Sequence, residues 1–275
     1  MHGGSVARVE RIAWRERMKK KTDIVIEILF VIVVGVCWQL YAKSRNVMGF
    51  PSLDVIFNRL IYCFTSERRP ILQYLLNSIL SILKGLGLGA LLALIFSSLS
   101  VANRIFGLLY NLVVSVFDLL PGVALLPILM ITIGANDTSI LVLVVHSVVW
   151  PMSRNLIDGF RTTPKIYIES GRNIGLNTVG MIFGVYIPAS FASILSGVKV
   201  GWARAWRGLI SAEMIFGAAQ SAGIGVFINN ARTVWIDYPA VYAAIILVVI
   251  VGVIVEYGIF QQIEKHTIRK WGMVH

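Results

Sequence analysis

Between Lys199 and Glu213 the chain reads Lys-Val-Gly-Trp-Ala-Arg-Ala-Trp-Arg-Gly-Leu-Ile-Ser-Ala-Glu, inside a stretch that is otherwise apolar. Arg204 and Arg207 stand three apart and so share one helix face, while Trp202, Trp206 and Glu213, at spacings of four and seven, share another. A charge near the centre of a bilayer costs about 2.5–3.5 kcal/mol even on the lenient insertion scale. A segment with two guanidiniums therefore turns them toward a bundle interior or a wet cavity. Two chemistries fit: an anion-contacting surface in a permeation path, or pairing with Glu213, Glu256 or Asp118 that only holds helices together. Upstream, Asp118, Pro121 and Pro127 suggest unwound backbone, which a membrane protein tolerates only where it is buried or lines a cavity. Transporters place such breaks near their substrate sites, although a kink with no substrate role explains the same residues. Nothing here is a catalytic or metal constellation. The four histidines (His2, His146, His266, His275) are scattered, with no HExxH cluster. A phosphate-binding GxxxxGK[ST] loop is absent, since no Gly-Lys pair occurs anywhere in the chain, so ATP, if used, is hydrolysed by another subunit.

These residues must be positioned by membrane helices. Of 275 residues 57% are hydrophobic and 14% charged, with mean hydropathy +0.77, whereas soluble domains carry about 25% charged residues. The formal charge of +11 reads as cytoplasmic loops facing anionic headgroups rather than nucleic-acid binding, because RNA- and DNA-binding motifs are absent. Cys37 lies inside the first apolar run and Cys63 beyond it, which excludes a disulfide framework. A spanning helix needs about 20 apolar residues. Ile24–Ala42, Leu75–Leu99, Ser139–Ile157 and Pro239–Gln262 qualify directly. Ile105–Ile133 is too long for one upright helix and reads as a span with a broken second half. Val179–Gly217 is ambiguous, since Val179–Val198 is uncharged and could span alone, making seven.

Parity favours six. The N-terminal tail (residues 1–23) carries Arg8, Arg11, Arg15, Arg17, Lys19, Lys20 and Lys21, and the C-terminal tail (264–275) carries Lys265, Arg269 and Lys270. Both termini are therefore expected in the cytoplasm, with the fifth span entering near Pro188. The run at 24–42 outlasts a signal-peptide core and lacks a small-residue cleavage site. Pro51-Ser52 starts a short helix on the outer surface, with Val55, Ile56, Leu60, Ile61 and Phe64 at helical spacing. Ser81, Gly85, Gly89 and Ala93 recur every four residues, a stripe that lets helix backbones approach. Lys84 beside it lines a path or meets a buried acid.

The loop after the fourth run reads Pro164-Lys-Ile-Tyr-Ile-Glu169-Ser170-Gly171-Arg-Asn-Ile-Gly175, with Val185-Tyr-Ile187-Pro188 nine residues later. This resembles the EAA loop of ABC importer permeases, E-A-A-x3-G-x9-I-x-L-P, with Ser170 and Gly171 in place of the two alanines. Gly171 weakens a helix by up to ~1 kcal/mol relative to Ala. Gly201–Trp206 with Ala212-Glu213-Met214, Leu125-Leu126-Pro127 with Gly134, Gly223-Ile-Gly225, Asp237-Tyr-Pro239 and Arg269-Lys-Trp271 are similar to the nitrate/sulfonate/taurine-type permeases. About 200 residues, from the second span onward, share the likeness.

The resemblance implies an all-α, polytopic inner-membrane permease of type I with six transmembrane helices in one domain (24–263), non-catalytic itself. It implies a coupling loop at about 160–187, with Glu169, Ser170, Gly171, Gly175 and Pro188 engaging the ATPase. Implied partners are two ATP-binding subunits that hold ATP and Mg, a second permease copy, a periplasmic or lipid-anchored binding protein, and membrane lipid, with no nucleic acid. The chain itself takes no cofactor. The substrate-path candidates are Arg204, Arg207, Trp202, Trp206, Glu213 and Asp118, and the arginines point to a small anion such as a sulfonate, taurine, nitrate or bicarbonate. A pyrimidine, aromatic or vitamin-precursor solute is the alternative. A secondary transporter or channel would need coupled acidic or His residues or inverted repeats, and a membrane enzyme a convergent reactive cluster. An ABC exporter subunit usually has a fused ATPase or lacks the EAA spacing.

Overall fold

Small residues on one face of a long apolar helix set the centre of the fold. The computed structural model describes residues 3–45, 47, 49–67, 70–217 and 222–267, apart from the side chains of 3–21 and 24. The helices are α1 (Gly3–Arg45), α2 (Leu53–Thr65), α3 (Ile71–Ala102), α4 (Arg104–Phe117), α5 (Leu126–Thr132), α6 (Asp137–Arg161), α7 (Lys165–Asn173), α8 (Thr178–Met181), α9 (Ile187–Ala189), α10 (Phe191–Phe216), α11 (Ile224–Thr233), α12 (Tyr238–Val253) and α13 (Gln261–His266). Gly85, Gly89 and Ala93 of α3 are buried, and a Cβ on Gly89 would come within 2.8 Å of Val148 Cβ on α6. The expected stripe thus lets α3 and α6 meet backbone to backbone. Gly201 and Gly208 on α10 do the same against Val148 and Leu143. The core is therefore α3, α6 and α10, with Leu143, Val144, Val148, Leu156 and Leu209 fully buried.

Four helices are long and apolar enough to cross a membrane, Val25–Arg45, Ile71–Ala102, Asp137–Arg161 and Tyr238–His266, and two bent pairs bring the number to six if each is one span. Arg104–Phe117 and Gly122–Thr132 meet at 89°, Thr178–Ala189 and Phe191–Phe216 at 73°. The expected break in the third region is present, and the second bend falls at Ser190, two residues after Pro188. The unwinding is confined to the residues around Asp118 and Pro121, however. Pro127 sits in the first turn of α5, where its missing N–H has no partner to lose. Two π-helical turns, Ile182–Tyr186 and Ile254–Phe260, lie beyond the reach of a period-3.6 reading.

The helix expected after Pro51 is α2. Gln39 on α1 donates to the Asp54 carboxylate at 2.5 Å and accepts from Leu53 N at 2.7 Å. The bond from Gln39, with a second from Ser52, holds the Asp54 carboxyl below the ordinary carboxylate range. Trp38 stacks on Phe50 at 4.2 Å and donates to Pro51 O, while Tyr242 OH reaches Gly49 O. Such amphipathic rings settle at a membrane–water interface. Cys37 and Cys63 form no disulfide with each other. Arg68, Arg69 and the basic Arg269-Lys270-Trp271 segment lie outside the described residues.

Candidate functional site

The break after α4 is where two arginines from other helices converge on one carboxylate. Helix α4 has 14 residues, which puts Asp118 about 21 Å along the axis from Arg104. Arg204 lies 13 residues into α10, about 20 Å from the Ser190 bend. The two reach the same depth from the same side. Arg204 Nη1 donates to Asp118 Oδ1 at 2.6 Å and, at 3.3 Å, to the Asp118 carbonyl that the unwound turn has freed. Arg154 Nε of α6 donates to Oδ2 at 2.8 Å. The carboxylate is 9% exposed, and one acid is thus shared by two guanidiniums. Of the three acids that could have met the α10 arginines, the structure selects Asp118.

Around this pair is a cavity of about 320 Å³, lined among others by Asp118, Pro121, His146, Trp150, Arg204 and Arg207. That volume suits a small solute. Arg207 makes no ion pair among the described residues, so three guanidiniums stand against one carboxylate. A Cβ on Gly122 would come within 2.8 Å of Ser147 Oγ, which keeps the broken turn close to α6. His146 and Trp150, four apart on α6, are contributors that the sequence reading left aside. Phe117 stacks on Trp150 at 5.0 Å, with His146 edge-on at 5.9 Å from Trp150. Both His146 ring nitrogens and Trp150 Nε1 are buried with no hydrogen-bond partner among the described residues. Their spacing, one helical turn apart on an otherwise aliphatic span, was the available signal.

The other candidates lie elsewhere. Trp202 and Trp206 stack on each other at 5.8 Å and are buried in the core, with Trp206 Nε1 donating to Val248 O at 3.4 Å. Glu213, 2% exposed, closes a hydrogen-bond relay. Ile224 N donates to Ser78 Oγ at 2.8 Å, Ser78 Oγ donates to the Glu213 carboxylate at 2.7 Å, and Gly225 N donates to Oε2 at 2.9 Å. It fastens α10 to α3 and α11. Lys199 pairs with Glu256 at 2.7 Å. Lys84 lines a smaller pocket with Ser81 and Asp137.

The loop with the EAA-like spacing folds into α7 and a glycine-capped turn. Leu176 N donates to Gly171 O and Gly175 N to Arg172 O, each at 3.0 Å, the paired bonds of a Schellman cap, with Gly175 at φ +76°. Gly171 is buried against the next segment, where a Cβ would come within 2.7 Å of Met181 Sδ and 3.0 Å of Val185 Cγ2. Its departure from alanine therefore has a packing reason. Glu169 and Ser170 are exposed, as are Ile166 (64%), Tyr167 (55%) and Ile174 (77%). Residues 166, 170 and 174 fall at i, i+4, i+8, one outward stripe. Pro188 lies in α9, just before the Ser190 bend.

Broken spans around a charged interior cavity, with a capped amphipathic helix at the loop, define a polytopic transport subunit. The chain belongs to the family of binding-protein-dependent transport system inner membrane components, whose pattern matches residues 85–269. It is the permease component of an ABC importer, a class that works with an ATPase and a substrate-binding protein. It is 25% identical over 240 residues to a protein of Methanocaldococcus jannaschii named as an ABC transporter permease, covering 86% of this chain and 89% of that one. It is 23% identical to the taurine transport system permease protein of Escherichia coli over 54% of this chain and 52% of that one. With the nitrate import permease protein of Synechocystis it shares 27% identity, over 63% and 67% of the two chains. The match places it with the nitrate/sulfonate/taurine-type permeases.

Proposed function

We propose that this chain forms the translocation path of an ATP-driven importer for a small anion, with sulfonates such as taurine first in the class and nitrate or bicarbonate next. The observation that carries the reading is Arg207, a guanidinium on the wall of the cavity with no carboxylate of its own among the described residues. Arg204 serves the broken turn through Asp118, so it is Arg207 that is left for an entering anion. Trp150 and His146 line the same wall. Relatives named for taurine and nitrate transport support the anionic class. The chain pairs with a second copy, docks on two ATPase subunits that bind ATP and Mg, and takes substrate from a periplasmic or lipid-anchored binding protein. Both termini lie in the cytoplasm of a bacterium. In this reading the stripe on α7, with Glu169, Ser170 and the Gly171–Gly175 cap, seats in the ATPase, and Pro188 passes its movement to α10.

The test is Arg207→Gln in the reconstituted importer, assayed for uptake of taurine and nitrate. A hydrogen bond to a charged group is worth about 1.5–3 kcal/mol, so uptake should fall about 10-fold to 100-fold with ATPase co-purification unchanged. Full uptake would remove the anion site. Equal loss of assembly would make Arg207 structural.

A further inference from the structure

A second basic pocket lies far from the Asp118 cavity, at the end of the bundle that carries α7. It measures about 400 Å³ and is lined by Ser100, Arg104, Leu108, Phe160, Arg161 and Ile168 among others. Helix α3 has 32 residues and is about 48 Å long, against about 30 Å of bilayer hydrocarbon. Its end and the turn into α4 therefore reach the headgroup layer. Arg104 opens α4 and Arg161 closes α6, so two elements deliver their guanidiniums to one recess at that level. Neither guanidinium has a hydrogen-bond or ion-pair partner among the described residues, and no carboxylate lines the pocket. Apart from Ser100 and Tyr186 the remaining walls are apolar, and Leu108 on the rim is 65% exposed, one turn along from Ile105 at 71%. A Cβ on Gly107 would lie 2.5 Å from Ser100 O, so glycine at that position brings α4 against the end of α3 and shapes the floor.

We propose that this pocket seats the phosphodiester headgroup of an anionic phospholipid, with Arg104 and Arg161 on the phosphate and the acyl chains running down the exposed side of α4. Paired guanidiniums match phosphate oxygens, and basic pockets between membrane helices are suited to anionic headgroups. The open apolar rim at Leu108 favours a lipid over a free anion, which has no use for it. Ile168 belongs to α7, so a bound lipid would brace that helix against α6.

Native mass spectrometry of the full-length chain in detergent, supplied with phosphatidylglycerol or phosphatidylcholine, tests this. The wild type should retain phosphatidylglycerol preferentially, and Arg104→Gln with Arg161→Gln should weaken retention about 30-fold, each contact being worth about fivefold. Leu108→Trp, at an exposed position, fills the rim with both charges intact and should also displace the lipid. It makes the same comparison if the double variant does not fold. Equal retention of both lipids by the wild type, or unchanged preference in the folded variants, would overturn the proposal. Unchanged retention in Leu108→Trp together with displacement by excess inorganic phosphate would overturn the lipid assignment in favour of a free phosphate site.

Discussion

Replacing Gly175 isolates one term in the α7 turn. Its φ of +76° is a conformation that costs an ordinary L-residue about 1–2 kcal/mol, and a β-branched residue there is a genuine outlier. Space does not contribute, since nothing lies within 4 Å of a Cβ built at this position. Gly175→Val should therefore act through the backbone alone. The chain can relieve the strain only by giving up the bonds from Gly175 N to Arg172 O and from Leu176 N to Gly171 O, which lets α7 pivot off Met181 and Val185. Loss of even 2 kcal/mol is about a 30-fold shift in the population of the seated turn. The turn is exposed and local, so insertion and abundance should hold while ATPase co-purification and transport collapse. Gly175→Asn supplies the control, because asparagine tolerates the left-handed region and should recover most of the activity. Both quantities are measured per membrane-inserted chain. Full transport by Gly175→Val would refute the coupling role. Equal damage by asparagine and valine would refute the backbone argument, since only the φ preference separates them.

Two further outcomes follow from the rest of the bundle. Glu213→Ala leaves the Ser78 hydroxyl and the Gly225 amide without their acceptor, at about 1–3 kcal/mol each, and should lower thermal stability in detergent far more than Glu213→Gln; equal melting points would show the relay to be dispensable. Engineered cysteines near Asn136 and Asn230 should label from outside the cell and one near Asn173 should not, and labelling at 173 would invert the topology.

The positions of the spans were legible because burial in lipid needs long apolar runs, and these stand out whatever the tertiary fold. The break in the third region was legible too from Asp118 and Pro121, although the same reading of Pro127 was not borne out, and Gly175 fell where a short helix must reverse. What could not be read was which charge meets which. Arg204 finds Asp118 across 86 residues, and that choice depends on bends of 89° and 73° that turn helix faces through angles no periodicity encodes. Each π turn adds its own offset: one extra residue rotates the following face by about 100°. Glu256 sits in such a turn and pairs with Lys199. Trp202, Trp206 and Glu213 were legible as one face of α10, but burial against α3, α11 and α12 decides that this face is core.

The division between Arg204 and Arg207 follows from the same break that makes the cavity. An unwound turn inside a membrane frees carbonyls that must find donors, and Arg204 answers the Asp118 carbonyl and carboxylate together. Arg154 binds the second carboxylate oxygen, and Arg207 makes no ion pair with this acid among the described residues. A third guanidinium at this depth costs free energy that no protein carboxylate among the described residues offsets. Water lowers that cost in the resting protein. An anion drawn into the cavity would lower it further and for as long as it stays. On the proposed reading, that imbalance would draw in a transient negative charge with no permanent partner to hold it, as a path needs if its substrate must also leave.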